Sequence, residues 1–275
     1  MSHSDNPTRC FAFGCSLTQY SYATWADYIG ANFDEYYNYG RSGSSNTFMM
    51  NRVIEVDDKF NFNPETDYVL VMVTGFGRFS YLTEGWRTNG DLYGYYQGTK
   101  DKTVGWIIDN LWSERWAVYQ SWIAIKTIRG LLTTKGVPFK IVTGIDNSHY
   151  MKETATKWGH THVISPNTIQ KVQDIYNLVD DTESYDMWLY HRYKDTDYPR
   201  WKDGRFEGHP SQKMHYDYLK DKFSEFDTDK ARLVFDKTES IFLSDSQSIQ
   251  EHNFRSNFYN NYNKANNYPL FGDAP

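Results

Sequence analysis

Residues 11–18 read FAFGCSLT, an apolar alternation that stops abruptly at glycine, cysteine and serine. A serine at such a small-residue corner, where a buried strand gives way to a helix, presents its hydroxyl beyond the edge of a sheet. That hydroxyl is a poor nucleophile until a base takes its proton and donors receive the charge developing on a substrate carbonyl. Ser16 brings its own backbone N–H to the second task. Gly43, in the turn NYGRSGSSN at 38–46, brings another, since glycine lets backbone approach a ligand with no side chain in the way. His209, in EGHPSQKMH at 207–215 near the far end of the chain, offers an imidazole, which titrates close to neutrality and suits a general base. Taken singly, Ser16 serves equally as a turn or cap residue. The order of the blocks along the chain points to a hydrolase-type site.

These residues meet only if strands carry them to one edge. RCFAFG (9–14), EYYNYG (35–40), DYVLVMVTG (67–75) and PFKIVTG (138–144) read as strands, the third being the most continuous apolar run. Helical spacing recurs in 24–33, 46–56, 113–136, 166–179 and 211–223. The βαβα alternation predicts an α/β three-layer sandwich with a central, mostly parallel sheet. In such sheets ligands bind outside the carboxyl ends of the strands, where GCSLT (14–18), NYGRSGSSN and VTGFGRF (73–79) all fall. Residues 75–112, rich in Gly, Tyr and Trp, read as a long surface loop or lid. Residues 1–225 are read as one domain, and 226–275 as an irregular Asn- and Tyr-rich extension that drapes over the body or meets a partner.

In this order the blocks resemble those of the SGNH (GDSL-type) hydrolase superfamily, over about residues 9–222. The first block is usually Gly-Asp-Ser-x-Thr; here Cys15 stands in the aspartate's place, as in phage and bacterial members. Asn38, Gly40, Gly43 and Asn46 match Asn-x-Gly-x-x-Gly-x-x-Asn, and His209-Pro210 followed by His215 has the spacing of the final block. The resemblance implies a flavodoxin-like SGNH fold with Ser16 as nucleophile and His209 as base. The third block commonly offers Gly-x-Asn-Asp, whose asparagine donates to the oxyanion. This chain has Thr74-Gly75-Phe76-Gly77-Arg78 instead, so Thr74 is assigned to the oxyanion hole with Ser16 and Gly43. Arg78 and Asn46 are assigned to the substrate. The family's acid position is Phe206 here, which leaves Glu207 as first candidate, Asp203 as second, and a Ser–His dyad as the third option. An acid would fix the imidazole tautomer and stabilise the imidazolium. The activity implied is removal of an acetyl or other acyl group from a carbohydrate through an acyl-enzyme, with no cofactor and no metal.

Composition bounds the alternatives. Of the 275 residues 39% are hydrophobic and 23% charged, enough to bury a core and too apolar for a disordered chain. The net charge of −6 argues against a nucleic-acid surface. The first nine residues are polar and no apolar run approaches the roughly 20 residues of a bilayer span, so neither a signal peptide nor membrane association is expected. A cytoplasmic or virion-associated protein fits. Cys10 and Cys15 are read as facing opposite sides of the sheet, hence unbonded to each other. His160 and His162 lack a ligand partner at metal spacing, and His215 reads as a packing group. The 23 Tyr and 9 Trp suit sugar stacking as well as core filling. Two rival functions follow: a non-enzymatic virion or surface-assembly protein that oligomerises or docks through its tail, and a carbohydrate-binding module.

Overall fold

Strand and helix alternate along the chain in the computed structural model, which describes residues 7–157, 160–194, 209–244, 263–271 and 273. β1 (Arg9–Phe13) leads through α1 (Trp25–Gly30), β2 (Glu35–Asn38) and α2 (Asn46–Phe60) to β3 (Asp67–Val73). A hairpin of β4 (Arg78–Leu82) and β5 (Trp86–Asp91) follows, then α3 (Leu92–Thr99), α4 (Lys102–Asn110) and the long α5 (Glu114–Lys135). β6 (Phe139–Thr143) precedes a small hairpin of β7 (Thr154–Lys157) and β8 (His160–Val163). Helices α6 (Pro166–Tyr176), α7 (Tyr185–Tyr193), α8 (Gln212–Lys222) and α9 (Asp229–Ser244) end the series. Serine begins several of these helices for one reason: its oxygen accepts from an otherwise orphaned N–H of the first turn. Ser45, Ser113, Ser165 and Ser211 do this for Phe48, Trp116, Thr168 and Met214.

The central sheet is parallel throughout, in the order β2-β1-β3-β6. Strand alternation sorts its side chains into two cores. Cys10, Ala12, Leu70 and Met72 pack beneath α1, α7, α8 and α9, while Phe11, Phe13, Val69 and Val71 pack beneath α2, α5 and α6. The molecule is therefore an α/β sandwich of three layers. Its strand order reverses at β1, since β2 lies on one side of it and β3 on the other. The crossovers diverge there, and in open sheets of this kind ligands bind beyond the carboxyl ends of the strands at such a point.

Three sequence expectations change. Residues 75–112 are not a loop: hairpin β4–β5 with α3 and α4 forms a small lobe around Leu92, Val104, Ile107, Trp112 and Ala117. The extension after 225 is not irregular throughout, because α9 packs against α1 and α8 with Phe235 stacked on Tyr216 at 4.5 Å between ring centroids. Cys10 and Cys15 are free, as expected, but both lie in the core on the α1 side because the chain turns after Phe13. Among the described residues no helix is long and apolar enough to cross a membrane.

Candidate active site

The chain turns as soon as β1 ends. The N–H groups of Thr18 and Gln19 both donate to the Cys15 carbonyl, at 2.9 and 3.0 Å, closing a tight turn around Ser16. Position 14 must be glycine for this turn, since a Cβ there would run into the Thr18 side chain. The next helix begins only at Trp25, with Thr24 as its cap. Ser16 thus sits on a free-standing turn and not at the strand-to-helix corner expected from the sequence, so it caps nothing. Its Oγ lies 3.0 Å from Nε2 of His209, 193 residues along the chain. With Nε2 unprotonated, the hydroxyl donates to it, the arrangement a general base requires.

The second block braces this turn. Asn38 Nδ2 donates to the Thr18 carbonyl at 2.8 Å, which also accepts from the Thr24 hydroxyl at 2.7 Å. Asn38 Oδ1 accepts from Gly40 N–H at 3.0 Å. Below them Asp27 is fully buried, and desolvation lifts its pKa to about 6 against the pull of donors from Thr24, Asn38 and Tyr36. Arg41 N–H and the Ser44 hydroxyl both donate to the Gly14 carbonyl, at 3.0 and 2.9 Å, so the Gly43 loop lies alongside the Ser16 turn. On its far side the loop is stitched to the hairpin. Gly43 carbonyl accepts from Gly90 N–H at 2.9 Å, Ser42 carbonyl from the Thr88 hydroxyl at 2.8 Å, and Ser80 Oγ from Ser45 N–H at 3.0 Å.

At the exit of β3 one assignment is corrected. Asn46 is 2% exposed and its amide is consumed internally: Oδ1 accepts from Thr74 N–H at 2.9 Å, and Nδ2 donates to Thr74 carbonyl and Ser121 Oγ. It positions the third block and does not face a substrate. Because Thr74 N–H is taken, Thr74 has only its hydroxyl left to give an oxyanion. That Oγ1 is buried and has no hydrogen-bond partner among the described residues, and neither has Nη1 of the partly buried Arg78. Asn147, after β6, holds the same exit: Oδ1 accepts from Phe76 N–H at 3.0 Å, and Nδ2 donates to the Ile145 carbonyl at 2.9 Å. An asparagine just behind a strand end is the one sign of this role in the sequence.

His209 is gripped from the loop that follows Ser16. The Tyr20 ring stacks on its imidazole with centroids 4.0 Å apart and planes at 26°. Tyr22 meets Tyr20 edge-on at 4.9 Å and donates its hydroxyl to the Pro210 carbonyl at 2.8 Å. Behind lies His215, wholly buried, with Nδ1 2.8 Å from the Tyr185 hydroxyl. Desolvation, and after it the nearby His209, bring the His215 pKa down to about 3, so it stays neutral near pH 7 and is a packing group, as its sequence context implied. Glu207, Asp203 and Phe206 lie outside the described residues, as do the side chains of His160 and His162 on β8.

No protein-family model and no curated protein matches the chain. A crystal structure of a GDSL-like lipase from Bacteroides thetaiotaomicron is similar at 12% identity over 79% of this chain and 86% of that one, with a TM-score of 0.33. At that overlap the likeness extends to neither site nor chemistry.

Proposed function

We propose that this chain is an SGNH-type serine esterase that removes acyl groups, acetyl foremost, from a carbohydrate. The observation that carries the reading is the Ser16 Oγ to His209 Nε2 contact of 3.0 Å at the switch point of a parallel sheet. In the reaction, Nε2 takes the hydroxyl proton as Oγ bonds to the ester carbonyl carbon. The carbonyl electron pair moves to its oxygen, facing the N–H groups of Ser16 and Gly43. Collapse expels the sugar alcohol, which takes the proton back from His209 and leaves Ser16 acylated. Water, deprotonated by the same nitrogen, then releases the acid. Thr74 Oγ1 or Arg78 supplies a third oxyanion donor, a contribution worth about 10² to 10³ in turnover in comparable sites. Glu207 is the proposed acid on the other ring nitrogen, with Asp203 in reserve. A carbohydrate-binding role without turnover would need no base beside Ser16.

A fluorophosphonate probe tests the reading. It should label wild-type protein at Ser16 and leave Ser16→Ala unlabelled. Turnover of a small acetyl ester should fall by about 10³-fold or more in that variant. Its melting temperature should barely change, because Ser16 caps no helix. Wild-type protein that neither reacts with the probe nor hydrolyses any ester would overturn the proposal.

A further inference from the structure

The catalytic pair depends on a histidine whose ring plane nothing in the His-Pro sequence fixes. The torsion about Cβ–Cγ of histidine is broad, so the ring swings easily unless something flat lies against it. Tyr20 supplies that surface at 4.0 Å, close enough that rotation would drive a ring edge into its face. Tyr20 is itself propped by Tyr22, and Tyr22 is bonded to Pro210, the residue after His209. Loop 18–22 therefore holds the base at both ring and backbone, and the same loop continues from the nucleophile turn.

We infer that Tyr20 is a positioning residue: its ring face locks the His209 imidazole so that Nε2 points at Ser16 Oγ. This rests on the esterase reading. The aromatic face also favours the imidazolium formed when the proton moves, through its electron-rich surface. The phenol oxygen has no part in this role, so a phenylalanine should serve.

With p-nitrophenyl acetate, Tyr20→Leu should lower kcat by about 10- to 100-fold, the range expected when a reacting group loses its alignment. KM and melting temperature should stay near wild type. Tyr20→Phe should restore kcat. In proton NMR, the His209 ring resonances should lie upfield under the stacked ring in wild type and Tyr20→Phe, and return downfield in Tyr20→Leu. An unchanged kcat in Tyr20→Leu would overturn the inference, and so would a Tyr20→Phe variant as slow as the leucine one. A loss of rate that merely tracks a loss of melting temperature would also count against it. Wild-type protein inert toward the ester would sink the esterase reading instead, and the ring resonances would then decide whether Tyr20 holds His209.

Discussion

Gly43 answers to two demands at once. It lies in the left-handed region, at φ +73°, and the β4–β5 hairpin crosses directly over it. A Cβ there would sit 2.6 Å from the Thr88 carbonyl oxygen and 2.8 Å from Gly90 N, both backbone atoms that cannot swing aside. Gly43→Ala should therefore cost about 1–3 kcal/mol, read as a shift in the urea midpoint, and should lower ester turnover because the loop beside Ser16 must shift. An alanine variant with wild-type midpoint and turnover would show that the hairpin yields freely. At this scale the sequence was legible where chemistry restricts residue type. A hydroxyl, an imidazole and a glycine are the residue types such a site restricts, so Ser16, His209 and Gly43 stood out, and the structure brings Ser16 and His209 within 3.0 Å and packs backbone against Gly43. Asn46 was misread because an asparagine's role depends on what it faces, here Thr74 across 28 residues of chain. Tyr20 could not be singled out among 23 tyrosines, since stacking leaves no mark on spacing.

The helices with serine caps and a one-sided apolar stripe were legible because local chemistry and packing agree there. The hairpin and its two helices were not, because their rings pack on one another and not on the sheet, which erases the period of two. The end of the chain was the hardest element to read. Asn263 sits beside the edge strand β2 and mimics a peptide group: its Oδ1 accepts from Asn38 N–H at 2.8 Å, and its Nδ2 donates to Asn38 carbonyl at 3.1 Å. Nearby, Lys264 pairs with Glu35, and Asp273 with Arg52, which is only 2% exposed. The described part of the tail thus covers an otherwise bare sheet edge, a known site of edge-to-edge association. Deleting residues 263–275 should destabilise the chain by about 2–4 kcal/mol, partly by leaving Arg52 buried with Glu55 alone. It should also raise self-association, seen by light scattering. A tail that served only to dock partners would leave both quantities unchanged.

Over the whole molecule, two buried groups oppose each other in acid. Asp27 has its pKa raised from 3.8 to about 6 by desolvation, so the native state holds a proton that the unfolded state releases above about pH 4. Its contribution to stability is full below pH 4 and is lost as pH rises through 6. His215 has its pKa lowered from 6.5 to about 3, again by desolvation first, so below pH 6.5 the unfolded state takes a proton that the native state refuses. Its contribution is lost as pH falls. Between about pH 4 and 6 each changes stability by about 1.4 kcal/mol per pH unit, in opposite senses, and the two cancel. Glu35 and Glu183, held low by Lys264 and Lys222, add an acid loss common to every variant, so differences between chains carry the test. Urea unfolding at pH 4.5, 5.5 and 7 should show Asp27→Asn losing stability toward acid faster than wild type. His215→Gln, which keeps an acceptor for the Tyr185 hydroxyl, should lose it more slowly. Three parallel pH profiles would mean that neither group titrates differently on folding, and that the surroundings of Asp27 and His215 are wetter than their burial implies.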